Sequence, residues 1–292
     1  MINRIFKIGF LVILIVPLTS STFSDRITAP KQPTASEIIE MIKKQVGVPW
    51  ADQTVDTFKA GDPDTPVTGI VCTFMATMDV LYQAVGHNCN LIITHEPIFY
   101  NHLDETSQFE NDKVIEAKKK YIADHGLVIW RFHDHFHRMK PDGIMTGMIR
   151  KIDWDKYKTD EPFLFHLPEM TVRELADYLN GKFSSATIRI VGDPSMKVSH
   201  VVFAPGAPGG MMHIKILERD DVDVIVGGEV PEWESISWVR DAVSLGMKKA
   251  LILIGHEDSE EAGMTYCTEW LQGFVKGTPI LFIKSGDSFT FR

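Results

Sequence analysis

Leu127-Val128-Ile129-Trp130-Arg131-Phe132-His133-Asp134-His135-Phe136-His137 joins a short apolar run to three histidines and a carboxylate. A brief apolar run between polar stretches reads as a buried strand. Side chains of an extended segment point to opposite faces with period two. If the chain stays extended beyond Phe132, His133, His135 and His137 share one face. Three imidazoles together at a strand end suggest part of a metal site, because imidazole is the commonest metal ligand. The plain alternative is a polar loop with solvated histidines.

Outward from this stretch, short apolar runs alternate with amphipathic ones. Thr34 to Val46 reads as a helix, with Thr34 and Glu37 in capping-box spacing. Ile70 to Phe74, Leu91 to Ile93 and Leu127 to Trp130 read as strands, with helices at Thr77 to Ala84 and Asp112 to Ala123. The second half repeats the pattern. Thr171 and Glu174 head a helix to Leu179, and strands follow at Thr187 to Val191, His200 to Phe203 and Asp223 to Val226. A turn at Gly206 to Gly210, a helix from Glu232 to Val243, a strand from Ala250 to Ile254, a helix from Ser259 to Phe274 and a strand from Pro279 to Ile283 complete it. Strands alternating with helices are the α/β signature. The polar stretch Asp153 to Glu161 is the expected link between an N-terminal lobe, 33–152, and a C-terminal lobe, 162–292.

The chain has 292 residues, 44% of them hydrophobic and 24% charged, which is ordinary for a globular protein with an ample core. The net charge of -9 argues against nucleic acid as a partner, since phosphate binding needs a basic surface. Residues 1–24 read as a secretory signal peptide. Arg4 and Lys7 precede an apolar run from Ile8 to Leu18, and Thr19 to Ser24 is small and polar. The run is too short to span a bilayer comfortably, so the expectation is an exported protein, periplasmic or extracellular, with no stable membrane span after cleavage. Cys72, Cys89 and Cys267 allow at most one disulfide; Cys72 and Cys267 read as buried small hydrophobes. The run Lys118-Lys119-Lys120 reads as a solvated helix face.

Ligands of α/β sheets bind beyond the carboxyl ends of the strands. Leu91 to Ile93 exits into Thr94-His95-Glu96-Pro97, and Leu127 to Trp130 into the histidine run. Asp223 to Val226 exits into Gly227-Gly228-Glu229, and Leu251 to Ile254 into Gly255-His256-Glu257-Asp258-Ser259-Glu260-Glu261. Four strand ends carry His or a carboxylate, and three carry both. Such mixed donors suit Zn, Mn, Fe, Ni or Co rather than Ca. Gly206 to Gly210 lacks the Lys and Ser/Thr of a phosphate loop and reads as a tight turn. Ser259 reads as a helix cap and Glu229 as a turn carboxylate.

Leu91 to Phe99, the His133 to His137 region with Asp142-Gly143, Gly227-Gly228-Glu229 and Gly255-His256-x-x-Ser259-Glu260-x-x-Gly263 resemble the NIF-three-like dinuclear metal centre family, also known as GTP cyclohydrolase type-two-like. The resemblance runs from Thr34 to Arg292, and the Gly-His-x-x-Ser-Glu element is its most specific part. It implies two similar α/β lobes with mixed sheets facing a central metal cleft, two divalent metal ions and a toroidal hexamer. The ligand set it implies falls on His95, Glu96, His137, His256 and Glu260. Two positions depart from the family pattern: a second His is Glu96 here, and an Asp is His137. One change adds a negative charge and the other removes one, so three His and two carboxylates remain. His133, Asp134 and His135 are expected to support the ligands. A register in which Asp134 or His135 ligates directly stays open.

Two close divalent metals activate water and clamp an oxyanion. The expected activity is hydrolysis of a small phosphoester, amide or cyclic C–N bond, with Glu257, Asp134 or His133 relaying the proton. The competing expectation is a non-catalytic metal- or ligand-binding module in the same cleft. Export argues against GTP as the substrate.

Overall fold

The computed structural model describes residues 32–183 and 188–289. The expected signal peptide, 1–24, lies outside the described residues, as does Thr187 at the head of one expected strand. In chain order the elements are α1 (Ala35–Gln45), β1 (Phe58–Ala60), β2 (Ile70–Thr73), α2 (Met78–Gly86), β3 (Leu91–Thr94), α3 (Lys113–Asp124), β4 (Val128–Arg131), α4 (Asp134–Arg138), α5 (Gly143–Lys151), β5 (Leu164–Thr171), α6 (Val172–Phe183), β6 (Arg189–Val191), β7 (Lys197–Ala204), α7 (Gly210–Leu217), β8 (Val224–Gly227), α8 (Ser237–Ser244), β9 (Ala250–Leu253), α9 (His256–Phe274) and β10 (Ile280–Phe282). Both capping boxes form. Glu37 N–H donates to Thr34 Oγ1 at 3.2 Å while Thr34 N–H donates to Glu37 Oε2 at 2.8 Å, and Thr171 and Glu174 repeat the exchange.

The strands make two mixed five-stranded sheets, ordered β1-β4-β3-β2-β10 and β5-β7-β8-β9-β6. β10, β2, β3 and β4 run parallel, with β1 antiparallel at the edge. β7, β8 and β9 run parallel, with β5 and β6 antiparallel on the two edges. The parallel strands β2, β3, β4, β8 and β9 are buried along their whole length, because helices cover both faces. Alternate residues serve different layers. Val71, Ile92 and Ile129 pack outward on α2 and α3, and Ile225 and Leu251 pack outward on α7 and α8. Cys72, Ile93 and Trp130 of the first sheet share one inner core with Phe203, Val226 and Ile252 of the second.

α5 and α9 lie in that inner layer and touch most closely where both carry glycine. A Cβ at Gly147 would stand 2.2 Å from the Ala262 carbonyl, and one at Gly263 would stand 2.6 Å from Ile144 Cα. α5, at Gly143–Lys151, has no strong local signal in the sequence. The expected C-terminal lobe, 162–292, lends its last strand to the other sheet. α9 runs between the sheets and delivers the chain beside β2, where Ile280 to Phe282 align with Ile70 to Cys72.

Three expectations need correction. Lys118 is not solvated: its stem is buried and its Nζ donates to the Ile98 carbonyl at 2.9 Å, while Lys120 alone of the run pairs in solvent, with Asp124. The expected helix from Glu232 to Val243 breaks at Glu234, whose carboxylate turns away to accept the Gly210 N–H at 2.7 Å. The histidine run is not extended beyond His133, because it coils into α4. The three cysteines are free and buried. No helix among the described residues is long and apolar enough to cross a membrane.

Candidate metal centre

The carboxyl ends of β3, β4, β8 and β9 meet between the sheets, and each delivers part of one cluster. β3 ends at Thr94 and hands over His95 and Glu96. β4 ends at Arg131, and the chain then turns sharply because Asp56 caps the start of α4. Asp56 Oδ1 accepts the N–H groups of His133 and Asp134 at 2.6 and 3.0 Å, and its Oδ2 accepts that of His135 at 2.8 Å. Coiling replaces period two by period 3.6. His133 and His137, four residues apart, share a face; His135 points the opposite way. His135 is fully buried, stacked on Trp50 at 3.6 Å, with Nδ1 on Asp56 and Nε2 accepting the Ala51 N–H at 2.9 Å. Both its nitrogens are engaged, so it is a packing residue and no ligand. Asp134 is held by Thr54 Oγ1 and the Val55 N–H, and its Oδ1 meets His133 Nδ1 at 3.0 Å. It orients His133 and does not face the cluster.

β9 passes through Gly255 into α9, whose first residue is His256 and whose fifth is Glu260. Glu260 fits because Gly206 faces it: a Cβ there would stand 2.4 Å from Glu260 Oε1, and φ is +70°. Ser259 does not cap the helix. Its Oγ accepts the Gly206 N–H at 2.9 Å and donates to the His256 carbonyl at 2.7 Å, tying the glycine turn to α9. In the connection expected to turn tightly, Gly206 and Gly209 both take positive φ, +70° and +91°.

All five expected ligands come together. Glu260 Oε2 lies 3.1 Å from His256 Nε2 and 3.5 Å from His95 Nε2, and Glu260 Oε1 lies 3.8 Å from His137 Nε2. Glu96 Oε1 lies 4.0 Å from His95 Nε2 and 3.6 Å from His256 Nε2. His133 joins them, with Nε2 3.5 Å from Glu96 Oε1. Two overlapping triples place their donor atoms within 4.8 Å of one another: His95, His133 and His137, and His95, Glu96 and Glu260.

The four imidazoles are held alike. His95 Nδ1 faces the Phe132 carbonyl at 3.1 Å, His133 Nδ1 faces Asp134, His137 Nδ1 faces Asp142 at 3.1 Å, and His256 Nδ1 faces Glu229 at 3.2 Å. A carbonyl or carboxylate only accepts, so Nδ1 carries a proton in each ring and Nε2 points inward. Such anchoring is the usual support of a metal-bound imidazole. His95 Nε2 is buried with no hydrogen-bond partner, an arrangement that a metal ion would satisfy. Glu229 is thus more than a turn carboxylate.

Electrostatics follow from the packing. Burial and the neighbouring His95 hold His133 down to about 4, so its ring is neutral and its Nε2 lone pair is available. Burial disfavours charge on Glu260, but His256 and His95 outweigh it and hold the carboxyl far below the usual range. Burial also opposes charge on His256, yet Glu229, Glu260 and Glu96 surround it and push it up to about 12. Glu96 has a second partner behind it. Arg131 is fully buried, with Nη2 3.5 Å from Glu96 Oε2, Nη1 3.7 Å from Asp104 and Nε on the His95 carbonyl at 3.0 Å. The charge of Glu96 is therefore balanced from behind by a buried guanidinium.

Sequence reasoning missed Asp56 and Arg131, and met Asp142 only as part of the family resemblance. Asp142 also caps α5, accepting the Met145 N–H at 3.0 Å. Glu257, an expected proton relay, lies outside the cluster. It accepts from Ser288 Oγ at 3.0 Å, and its Oε1 is buried without a partner. Burial pushes its carboxyl up. It lines a cleft of about 560 Å³ that opens onto Glu96 and His256.

The comparisons agree with this fold. A structure of a Bacillus cereus protein related to NIF3 superposes with a TM-score of 0.71 at 16% identity, over 90% of this chain and 100% of that one. A Staphylococcus aureus hypothetical protein gives 0.69 at 16% identity, over 89% and 100%. Reduced HcgD from Methanocaldococcus jannaschii gives 0.62 at 16% identity, over 86% and 97%. In sequence, the chain is 25% identical over 249 residues to a GTP cyclohydrolase 1 type 2 homolog of Clostridium acetobutylicum, covering 80% of this chain and 88% of the relative. Residues 33–287 match the model of Duf34/NIF3 (NGG1p interacting factor 3), and the chain belongs to that family.

Proposed function

We propose that the protein binds two divalent metal ions between its lobes and hydrolyses a small phosphoester, amide or cyclic C–N substrate in the adjoining cleft. His95, Glu96, His137, His256 and Glu260 hold the metals, and the position of His133 Nε2 adds it to the set. The observation that carries this reading is the common orientation of four imidazoles, each anchored through Nδ1 with Nε2 inward. Zn, Mn, Fe, Ni and Co fit donors of this kind. Such ions, when bound, lower the pKa of water and polarise an oxyanion.

The chain's own groups do the rest. Asp134, Asp142 and Glu229 fix the ring orientations. Arg131 holds Glu96 from behind. We propose that Glu257, which lines the same cleft and whose carboxyl burial pushes up, exchanges the proton with solvent. The substrate is a small molecule, because the cleft has room for one.

We further propose a homo-oligomer, a hexamer by resemblance. We also propose export to the periplasm or beyond, supported by the basic start and apolar run of residues 1–24. Elemental analysis of protein reconstituted with Zn or Mn should find about two metals per chain; fewer than about half a metal would sink the metal reading. A hydrolase screen with Glu260→Gln and His256→Ala controls tests catalysis. Activity that survives both substitutions excludes this site as its source. Metal binding without activity leaves the protein a non-catalytic metal or ligand binder.

A further inference from the structure

Five carboxylates, Glu96, Glu229, Glu257, Asp258 and Asp287, line the cleft beside the cluster. Glu229 faces His256, Glu257 accepts from Ser288, and Asp287 accepts from Lys284 at 2.8 Å. Asp258 is not free either. Arg189 is the one guanidinium in the lining. It is exposed, and no carboxylate stands within ion-pair distance of it among the described residues. Its place is set by the sheet: Arg189 pairs with Leu253 across β6 and β9, and β9 leads three residues later to His256. It therefore shares the cleft with the cluster and reaches it from the edge of the second sheet. Arg presents a planar fork of donors that matches a carboxylate bidentately.

The rest of the lining describes the body of the ligand. Phe74 lies edge-on beneath His256, with ring centroids 5.3 Å apart. Tyr100 and Phe289 are 57% and 66% exposed and face the same space. Tyr100 sits on a firmly held loop, where Asp104 Oδ1 accepts the Ile98 and Phe99 N–H groups at 2.7 and 2.8 Å. Aromatic side chains on a rigid wall suit a flat or apolar body. The surrounding acidic wall repels a polyphosphate, whereas a single carboxylate meets the unpaired cation with less opposition.

We propose that Arg189 determines specificity: the substrate is a small carboxylate-bearing molecule with a flat apolar body, whose carboxylate binds the Arg189 guanidinium while its reacting bond lies at the histidine–carboxylate cluster. This rests on the metal-dependent reading above and narrows its substrates to those that carry a free carboxylate.

The test uses the full chain loaded with zinc and titrated calorimetrically with three probes. Benzohydroxamate carries a metal-binding end and no second anionic group; its 3-carboxy and 4-carboxy derivatives add the carboxylate. In wild type at least one carboxy derivative binds about tenfold tighter than benzohydroxamate. In Arg189→Met that ratio falls below about twofold, and in Arg189→Lys it is partly restored. A melting curve and the zinc content of each variant report its fold. No carboxylate preference in wild type, or an equal preference in Arg189→Met, overturns the assignment. The metal reading fails separately, if zinc does not load and benzohydroxamate does not bind. A carboxylate preference that still depends on Arg189 would then stand alone. Failure of every probe to bind overturns both.

Discussion

His133, at the head of α4, and His137 stand one helical turn apart, their ring centroids 5.0 Å from each other, with His133 Nε2 turned to Glu96 and His137 Nε2 to Glu260. The helix that produces this spacing exists because Asp56 receives its first N–H groups. Cap and cluster are therefore one structure.

Removing the cap should damage the fold and the centre together. Asp56→Ala leaves buried N–H groups and the His135 ring without an acceptor, at a cost on the order of 3 kcal/mol. Urea unfolding should show a lower midpoint with an unchanged slope, and zinc content should fall as His133 and His137 lose register.

Glu229→Ala should act differently. Glu229 is half-exposed and orients His256 from outside the cluster. Losing such a support typically costs about 10- to 100-fold in metal affinity. Competition against a chromogenic chelator should show that loss with the melting temperature of the metal-free protein almost unchanged.

Gly206→Ala should fail to hold metal. The new methyl would overlap Glu260 Oε1 at a position where φ is +70°. Overpacking and backbone strain together cost about 1–3 kcal/mol. Retention of full zinc content by this variant would show that Glu260 has room the structure does not give it.

Zinc uptake should release protons. His256 in the metal-free protein is pushed up to about 12 by Glu229, Glu260 and Glu96 against its burial, so a metal must displace its proton. Affinity should rise with pH across the neutral range, and calorimetry in buffers of different ionisation enthalpy should count at least one proton released per chain, since, against its burial, Asp142 and Glu260 raise His137 as well.

Lys118 gives a pH signature of its own. Burial lowers its ammonium from 10.5 to about 8, with Asp104 opposing. Between those values the unfolded chain holds a proton that the native protein lacks, so this group makes stability rise with pH from about 8 to 10.5. Below about 8 its contribution is flat. Relative to Lys118→Met, wild type should gain up to about 3 kcal/mol across that window in denaturant titrations. A constant difference between the two proteins would contradict the burial of Lys118.

Most of the architecture was legible locally. Thr34 with Glu37 and Thr171 with Glu174 cap their helices as their spacing implies, since a capping box closes within four residues. The strands before His95, His133, Glu229 and His256 were plain because parallel strands covered on both faces are continuously apolar. β1 and β5, edge strands with mixed patterns, left weaker marks. The five expected ligands came from the family resemblance; strand-end positions alone pointed only to the segments that carry them.

What the chain sequence determined by itself was thus the donors and the strand ends that carry them. Which face each donor takes was decided only in the folded protein. Alternation in His133 to His137 suits a strand, and nothing local says otherwise; Asp56, 77 residues from His133, imposes the helix. Arg131 behind Glu96, Glu229 behind His256 and Gly206 in front of Glu260 are likewise pairings between distant segments. Backbone propensity and periodicity act over a few residues, whereas charge balance and steric fit in a buried cluster depend on whatever the two sheets bring within a few ångströms.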